Sequence, residues 1–362
     1  MTRPVLVAAG GTGGHVIPAL AVAEVLRQRD VPVIWLGTRE GLEARLVPAA
    51  GIDIRWISVA GLRGKNLLQT LTGPLKLVRS CLQSLRLVHT LKPRAVLGMG
   101  GFVSGPVGIA ALLTRTPLVL HEQNAVAGMT NRWLSGRAQH VFAAWPGAFK
   151  DSQTLQVVGN PVRADIARLA DIPHQVELDK QRALRILVVG GSRGARALNE
   201  TVPAAIARLS MPVHVVHQSG TAEGDQVRER YQSVVANNTS ARCDVAEFID
   251  DMAAAYRDAD VVICRSGAMT VTELGALGVP SILVPFPYAV DDHQTRNAEH
   301  LANHGAAVLM PQSSLNAEVL AAELTQLATD RSRLQTMSDA ARRCFVPKAA
   351  EVVAEALLEV AG

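Results

Sequence analysis

A strand, a glycine loop and a helix follow one another twice in this chain, about 180 residues apart. PVLVAAG leads into GTGGH and then VIPALAVAEVLRQR; ALRILVVGG leads into SRGAR and then ALNETVPAAIARL. Such an internal repeat predicts two units of the same architecture. The strands are near-continuous apolar runs, and helical stretches alternate with them. VPVIWLG, AVLGMG and PLVLHEQN continue the first unit. PVHVVHQSG, VAEFID, ADVVICRSG, PSILVPFP and GAAVLM continue the second. Buried strands alternating with helices predict parallel sheets covered on both faces. The fold class is therefore α/β, with two Rossmann-like doubly wound domains, and 362 residues suit two domains. The expected domains are 1–163 and 164–339, joined by the proline-containing stretch NPVRADIARLADIPHQVELDK. The end of the chain, from about Ser338 to Val360, reads as an amphipathic helix able to dock on either domain.

Charge is divided unevenly. Residues 1–163 hold 18 Lys and Arg against 7 Asp and Glu, whereas the remainder holds 18 against 25. No acidic residue occurs from Ile54 to His121, a stretch with nine basic ones. A basic half predicts an anionic partner. Nucleic acid fits poorly, because aromatic residues make up only 4% and no dense Lys/Arg cluster occurs. The four cysteines are scattered with no CxxC, which suits a reducing compartment, and the immediate strand pattern at the start leaves no room for a signal peptide. Residues 95–114 are uncharged and long enough to span a bilayer, but their glycines and Pro106 predict strand, turn and a helix from about Gly105 instead.

The candidate chemistry lies after the strands. Thr12, Gly13 and Gly14 sit in a loop whose glycines let an anion approach backbone N–H groups at a helix start. Gly37, Thr38 and Arg39 stand at the end of the next strand, where a dehydrogenase carries its ribose-binding acid, and the loop has no Walker lysine, so nicotinamide dinucleotides and ATP hydrolysis both lose ground. His15, read as the first helical position, is a candidate general base; the plainer alternative is a capping histidine. Glu122 and Asn124, in HEQN, are a second base candidate and a partner for a sugar hydroxyl. Ser192 lies in the second glycine loop, and Arg163 near the domain junction is a cation for a diphosphate. In CRSGAMTVTE a helix starting near Ala268 offers its N-terminus to phosphate, and Glu273 one turn in can accept ribose hydroxyls. Asp291, Asp292, His293 and Gln294 suit sugar hydroxyls. No metal is expected: Asp258-Ala-Asp260 precedes its strand, at the wrong sheet edge.

Taken in order, GGTGGH, GLRGK, LGMGGFVSGP, HEQN, VVGNPVR, VVGGSRGAR, HQSG, EFIDDMAAAY, CRSGAMTVTE and PFPYAVDDHQTRNA resemble the bacterial MurG glycosyltransferases over about residues 5–310. The resemblance implies a B-type glycosyltransferase fold, with two domains facing across a cleft and a last helix, about 340–362, packing back on the first domain. It implies transfer of N-acetylglucosamine from UDP-N-acetylglucosamine to the C4 hydroxyl of the muramyl sugar of lipid I, with inversion and no tightly bound cofactor. It implies a peripheral protein on the cytoplasmic face of the inner membrane. It also implies a donor site of Thr12, Gly13, Gly14, Asn124, Arg163, Ser192, Ile249, Ala268, Met269, Thr270, Val271, Thr272, Glu273 and Gln294, with Ile249 against the uracil. His15 as base is a reading of the residues, not of the resemblance. Two alternatives stay open. A UDP-N-acetylglucosamine 2-epimerase shares the paired halves but leaves the basic apolar stretch 62–88 unexplained. A non-catalytic nucleotide-sugar binder shares the loops.

That stretch is the expected membrane contact. Leu71, Leu75, Val78, Leu82 and Leu85 recur at helical spacing, with Lys76, Arg79 and Arg86 along the flank and Arg63 and Lys65 upstream. Leu77, Cys81 and Val88 form a second apolar face suited to the core. Leucines in the headgroup region and cations on anionic lipid would hold such a helix at a bilayer surface.

Overall fold

The computed structural model describes residues 3–59, 67–149, 155–176, 178–179, 181–191, 194–238 and 240–360, the side chains of 67–73 and 237 excepted. The chain divides into two compact units, Met1–Ala164 with Val346–Gly362, and Asp165–Phe345.

In the first unit the strands are β1 (Val5–Ala8), β2 (Val33–Gly37), β3 (Asp53–Trp56), β4 (Ala95–Gly98), β5 (Leu118–Glu122), β6 (His140–Ala143) and β7 (Leu155–Val157). They form a parallel sheet in the order β3-β2-β1-β4-β5-β6-β7. The helices are α1 (Gly13–Gln28), α2 (Glu43–Ala49), α3 (Leu67–Leu91), α4 (Gly101–Leu113) and α5 (Met129–Ser135). Helix α6 (Ala164–Leu169) begins at the junction and lies within the stretch expected to be a plain linker.

The second unit repeats the plan. Strands β8 (Leu184–Val189), β9 (Val213–Gln218), β10 (Ala241–Ala246), β11 (Val261–Cys264), β12 (Ser281–Leu283) and β13 (Ala307–Leu309) lie in the order β10-β9-β8-β11-β12-β13, again all parallel. Helices α7 (Arg196–Ile206), α8 (Gly224–Asn237), α9 (Met252–Asp258), α10 (Ala268–Leu277), α11 (His293–Ala302), α12 (Ala317–Thr329) and α13 (Arg331–Cys344) belong here, and α14 (Ala349–Glu359) ends the chain in the first unit. Each sheet reverses its winding direction at one seam, β1/β4 and β8/β11, where doubly wound folds bind ligands at the carboxyl edge.

Both cores follow from the apolar strands. Leu6, Val96 and Leu120 pack with Val103 and Val107 of α4 on one face of the first sheet. Val5, Val7 and Leu97 pack with α1 on the other, and Val353 and Leu357 of α14 join that cluster. The second core gathers Ile186, Val188 and Ile263 with Leu198, Val202, Leu320 and Leu324.

Four expectations are corrected. The final helix is two helices: Pro347 removes an N–H and restricts the residue before it, so α13 ends at Cys344 and α14 starts at Ala349. Helix α4 starts at Gly101, not near Gly105. There the chain bends with φ +75°, and a side chain would collide with the Gly10 carbonyl, so only glycine fits. The strand placed at VAEFID is β10, which ends at Ala246. Leu77, expected on the core side of α3, is exposed; Ser80, Ser84 and Val88 make the buried face.

Candidate active site

The first unit brings its polar residues to the carboxyl edge of its sheet. After β1 the chain passes through Gly10 and Gly11, and Thr12 caps α1. His15 is the third residue of α1, not the first, and its Nδ1 lies 3.4 Å from Thr12 Oγ1. A methyl group on Gly100 would sit 2.9 Å from His15 Cδ2 and 3.1 Å from Nε2. The imidazole therefore lies against the bare backbone between β4 and α4, at the sheet's seam. Ser104 holds that turn by donating to Ala8 O at 2.8 Å and Gly100 O at 2.7 Å.

Glu122 ends β5 and is buried. Its Oε1 accepts from Asn124 N and Nδ2, at 3.0 and 3.2 Å, and its Oε2 from Gly128 N and Asn131 Nδ2, at 3.0 and 2.9 Å. This is the geometry of a brace for the 122–131 loop. His121 is buried too, within 2.9 Å of Gly159 O and 3.1 Å of Gln123 Nε2, and burial lowers its pKa to about 4. Neutral at physiological pH, it belongs to the scaffold.

One group that the sequence did not single out is Glu43, at the start of α2 and completely buried. Its Oε2 accepts from Gly11 N at 2.9 Å; its Oε1 accepts from Thr38 N at 2.9 Å and Thr38 Oγ1 at 2.8 Å.

The second unit has the matching edge. Gly190, Gly191 and Gly194 turn the chain from β8 into α7; Ser192 lies outside the described residues. Asn199 fixes the turn's neighbour by donating to Ser219 O at 3.0 Å, and it meets the buried His217 at 3.0 Å. Burial lowers the His217 pKa to about 3. Helix α10 starts at Ala268 with Gly267 as its cap, so its first N–H groups face the carboxyl edge beside the seam. Among residues 268–273, Val271 is core and Thr272 Oγ1 turns back to Ala268 O at 2.9 Å. Thr270 remains partly exposed, and Glu273 is buried one turn in.

Helix α11 is tied to the same place. Ser266 Oγ donates to Gln294 O at 2.8 Å, and Gln294 Oε1 accepts from Phe286 N at 2.9 Å. Asp291 and Asp292 take left-handed conformations just before it. Arg265 does not face the helix start: it donates to Val284 O, Pro285 O and Gln312 Oε1. Ile249 is half-buried beyond the end of β10. At the opposite edge Asp260 is buried with Arg185 at 2.8 Å and Arg331 at 3.5 Å, a structural cluster. Arg163 is half-buried at the end of the first unit.

Two parallel doubly wound domains, each with a glycine loop and a helix start at its switch point, are the architecture of the B-type glycosyltransferase fold. The chain's residues 5–143 match the glycosyltransferase family 28 N-terminal domain, and residues 185–353 match the C-terminal domain of the same family. Two relatives carry the name UDP-N-acetylglucosamine–N-acetylmuramyl-(pentapeptide) pyrophosphoryl-undecaprenol N-acetylglucosamine transferase. That of Methylococcus capsulatus is 52% identical and that of Alkalilimnicola ehrlichii 53%, with both chains of each pair covered completely. The crystal structure of Acinetobacter baumannii MurG is 40% identical, with a TM-score of 0.83 over 99% of each chain. The chain belongs to glycosyltransferase family 28 and, within it, to the MurG family.

Proposed function

We propose that this chain transfers N-acetylglucosamine from UDP-N-acetylglucosamine to the C4 hydroxyl of the muramyl sugar of lipid I, giving lipid II and UDP with inversion, in peptidoglycan synthesis. The observation that carries the reading is the full-length similarity, at about half of all positions, to transferases of that name. The epimerase structures share the fold at 14–18% identity, which speaks for architecture alone. In the proposed reaction the acceptor hydroxyl gives its proton to His15 and attacks the anomeric carbon in line. UDP leaves with its diphosphate on the N-terminus of α10 and the glycine loop after β8, with Ser192 and Arg163 beside it. Glu273 receives the ribose hydroxyls, Ile249 the uracil, and Thr12, Gly13, Gly14, Asn124 and Gln294 the sugar. Incubation of the purified chain with labelled UDP-N-acetylglucosamine and a lipid I analogue should yield the labelled lipid disaccharide. Release of N-acetylmannosamine without acceptor would instead identify an epimerase, and no product at all a binder.

No tightly bound cofactor or metal has a part in this scheme, since helix N–H groups and arginine neutralise the leaving diphosphate. Among the described residues no cluster of His, Cys, Asp and Glu suits a metal ion. UDP binding by calorimetry should persist in excess chelator; its abolition would assign the diphosphate to a metal.

We place the chain at the cytoplasmic face of the cell membrane as a peripheral protein. Among the described residues no helix is long and apolar enough to cross a membrane. Helix α3 exposes Leu75, Leu77, Val78 and Leu82 together with Lys76, Arg79 and Arg86. Arg63, Lys65 and the Leu71 side chain lie outside the described residues. Each cation at an anionic surface is worth about 1 kcal/mol, so Lys76→Gln with Arg79→Gln should weaken attachment by about 2 kcal/mol. Sedimentation with anionic vesicles at low salt measures it. Parental binding by the double variant would move the contact elsewhere.

A further inference from the structure

Three glycines in the first unit leave their space to one side chain. A methyl group on Gly10 would lie 2.6 Å from Glu43 Oε1, one on Gly37 2.7 Å from Glu43 Cγ, and one on Gly41 would overlap Oε2. A buried carboxyl group is costly unless donors surround it, and here three do so. Two belong to Thr38, just beyond β2; the third is the N–H of Gly11, just beyond β1. The carbonyl of Gly11 is taken as well, by Leu42 N at 3.2 Å. Both backbone groups of Gly11 are thus tied to the start of α2. Gly11 itself has φ +94°, a conformation that few other residues would hold. The next residue is Thr12, which caps α1 and whose hydroxyl lies beside the His15 ring.

We propose that Glu43 is a positioning residue for sugar transfer: through the Gly11 N–H it holds the first glycine loop so that His15 meets the acceptor hydroxyl. The inference rests on the transferase reading above. A neutral amide cannot replace the carboxylate. If its oxygen faces Gly11, its NH₂ opposes the Thr38 N–H; if it is turned round, the Gly11 N–H loses its acceptor. Either way the loop relaxes, and small displacements of a reacting group cost much in rate.

The test uses the full chain with Glu43→Gln, measuring kcat and donor KM with a lipid I analogue, UDP affinity, and exchange of the Gly11 amide by NMR. We expect kcat to fall by up to about 100-fold, with donor KM and UDP affinity unchanged and Gly11 exchange faster. Parental kcat in a folded Glu43→Gln overturns the proposal. So does a joint fall of kcat and UDP affinity, because that marks general damage. If Glu43→Gln does not fold, Thr38→Val removes one donor and loosens Glu43 more gently; it should lower kcat without touching donor KM, and parental kcat there overturns the proposal equally. A parent chain that transfers no sugar would sink the transferase reading instead, while the Gly11 exchange rates still report on the clamp.

Discussion

Replacement of His15 by alanine is expected to lower kcat by about 10²–10⁴, the usual worth of a positioned general base. The C4 hydroxyl is a weak nucleophile until its proton has somewhere to go. His15 is the imidazole that lies half-buried at the sheet's seam, against the backbone of Gly100. The other histidine near that edge, His121, is completely buried and packed into the scaffold. Glu122 is engaged by Asn124, Gly128 and Asn131. The expected signature is therefore specific: kcat falls, while UDP binding, which the proposed function assigns to α10 and the glycine loop after β8, changes little. A His15→Ala variant with near-parental kcat would leave the base to another group or to solvent. Glu122→Gln serves as the comparison. If Glu122 is a brace, the substitution should show first as loss of thermal stability; a pH-dependent loss of kcat at parental stability would restore it as a base.

Those residues were legible in the sequence to different degrees, and for physical reasons. The seam strands β1, β4, β8 and β11 are buried almost throughout, so they appear as apolar runs, interrupted only by Arg185 in β8. The glycine loops after them stand out because only a ligand or a close backbone demands such runs of glycine. Strand β3 is an edge strand with an exposed and half-buried alternation, DIRW, and it carries too little apolar signal to be seen. Strand β7 is an edge strand of three residues. The start of α4 was misplaced because its glycines argue locally against a helix. What decides the matter is the approach of Gly101 to Gly10, more than ninety residues away in the chain. Glu43 was missed for a similar reason. In GLEARL it reads as an ordinary acidic residue in the first turn of a surface helix, favourable to the helix dipole. Its burial depends on Gly10, Gly37 and Gly41 all lacking side chains, and that is a tertiary fact. Helix α3 is legible only in part: spacing puts Leu75, Val78 and Leu82 on the exposed side, as found, but it also puts Leu85 there, which packs against the core, and Leu77 on the core side, which is exposed, while Ser80, Ser84 and Val88 are buried.

Replacement of Glu273 by alanine is expected to raise the donor KM by about 10- to 150-fold, the worth of a charge-assisted hydrogen bond at roughly 1.5–3 kcal/mol. Glu273 is the sixth residue of α10 and only 6% exposed. The first turn of this helix presents N–H groups at the seam of the second sheet, where a diphosphate would lie. In the proposed reading the ribose of a nucleotide held there reaches Glu273, which lies beyond the first turn of the helix. The carboxylate can accept from two adjacent hydroxyls, which no neutral side chain of that length does as well. Because the ribose is not the reacting centre and stays bound through the transition state, the loss should appear mainly in KM, and kcat at saturating donor should be nearly kept. Glu273→Gln keeps the shape and one acceptor, so its KM should fall between alanine and the parent. UDP affinity by calorimetry should weaken in parallel with KM, because UDP retains the ribose. A folded Glu273→Ala with parental donor KM and UDP affinity would show that Glu273 stabilises α10 from within and that the ribose is held by other groups.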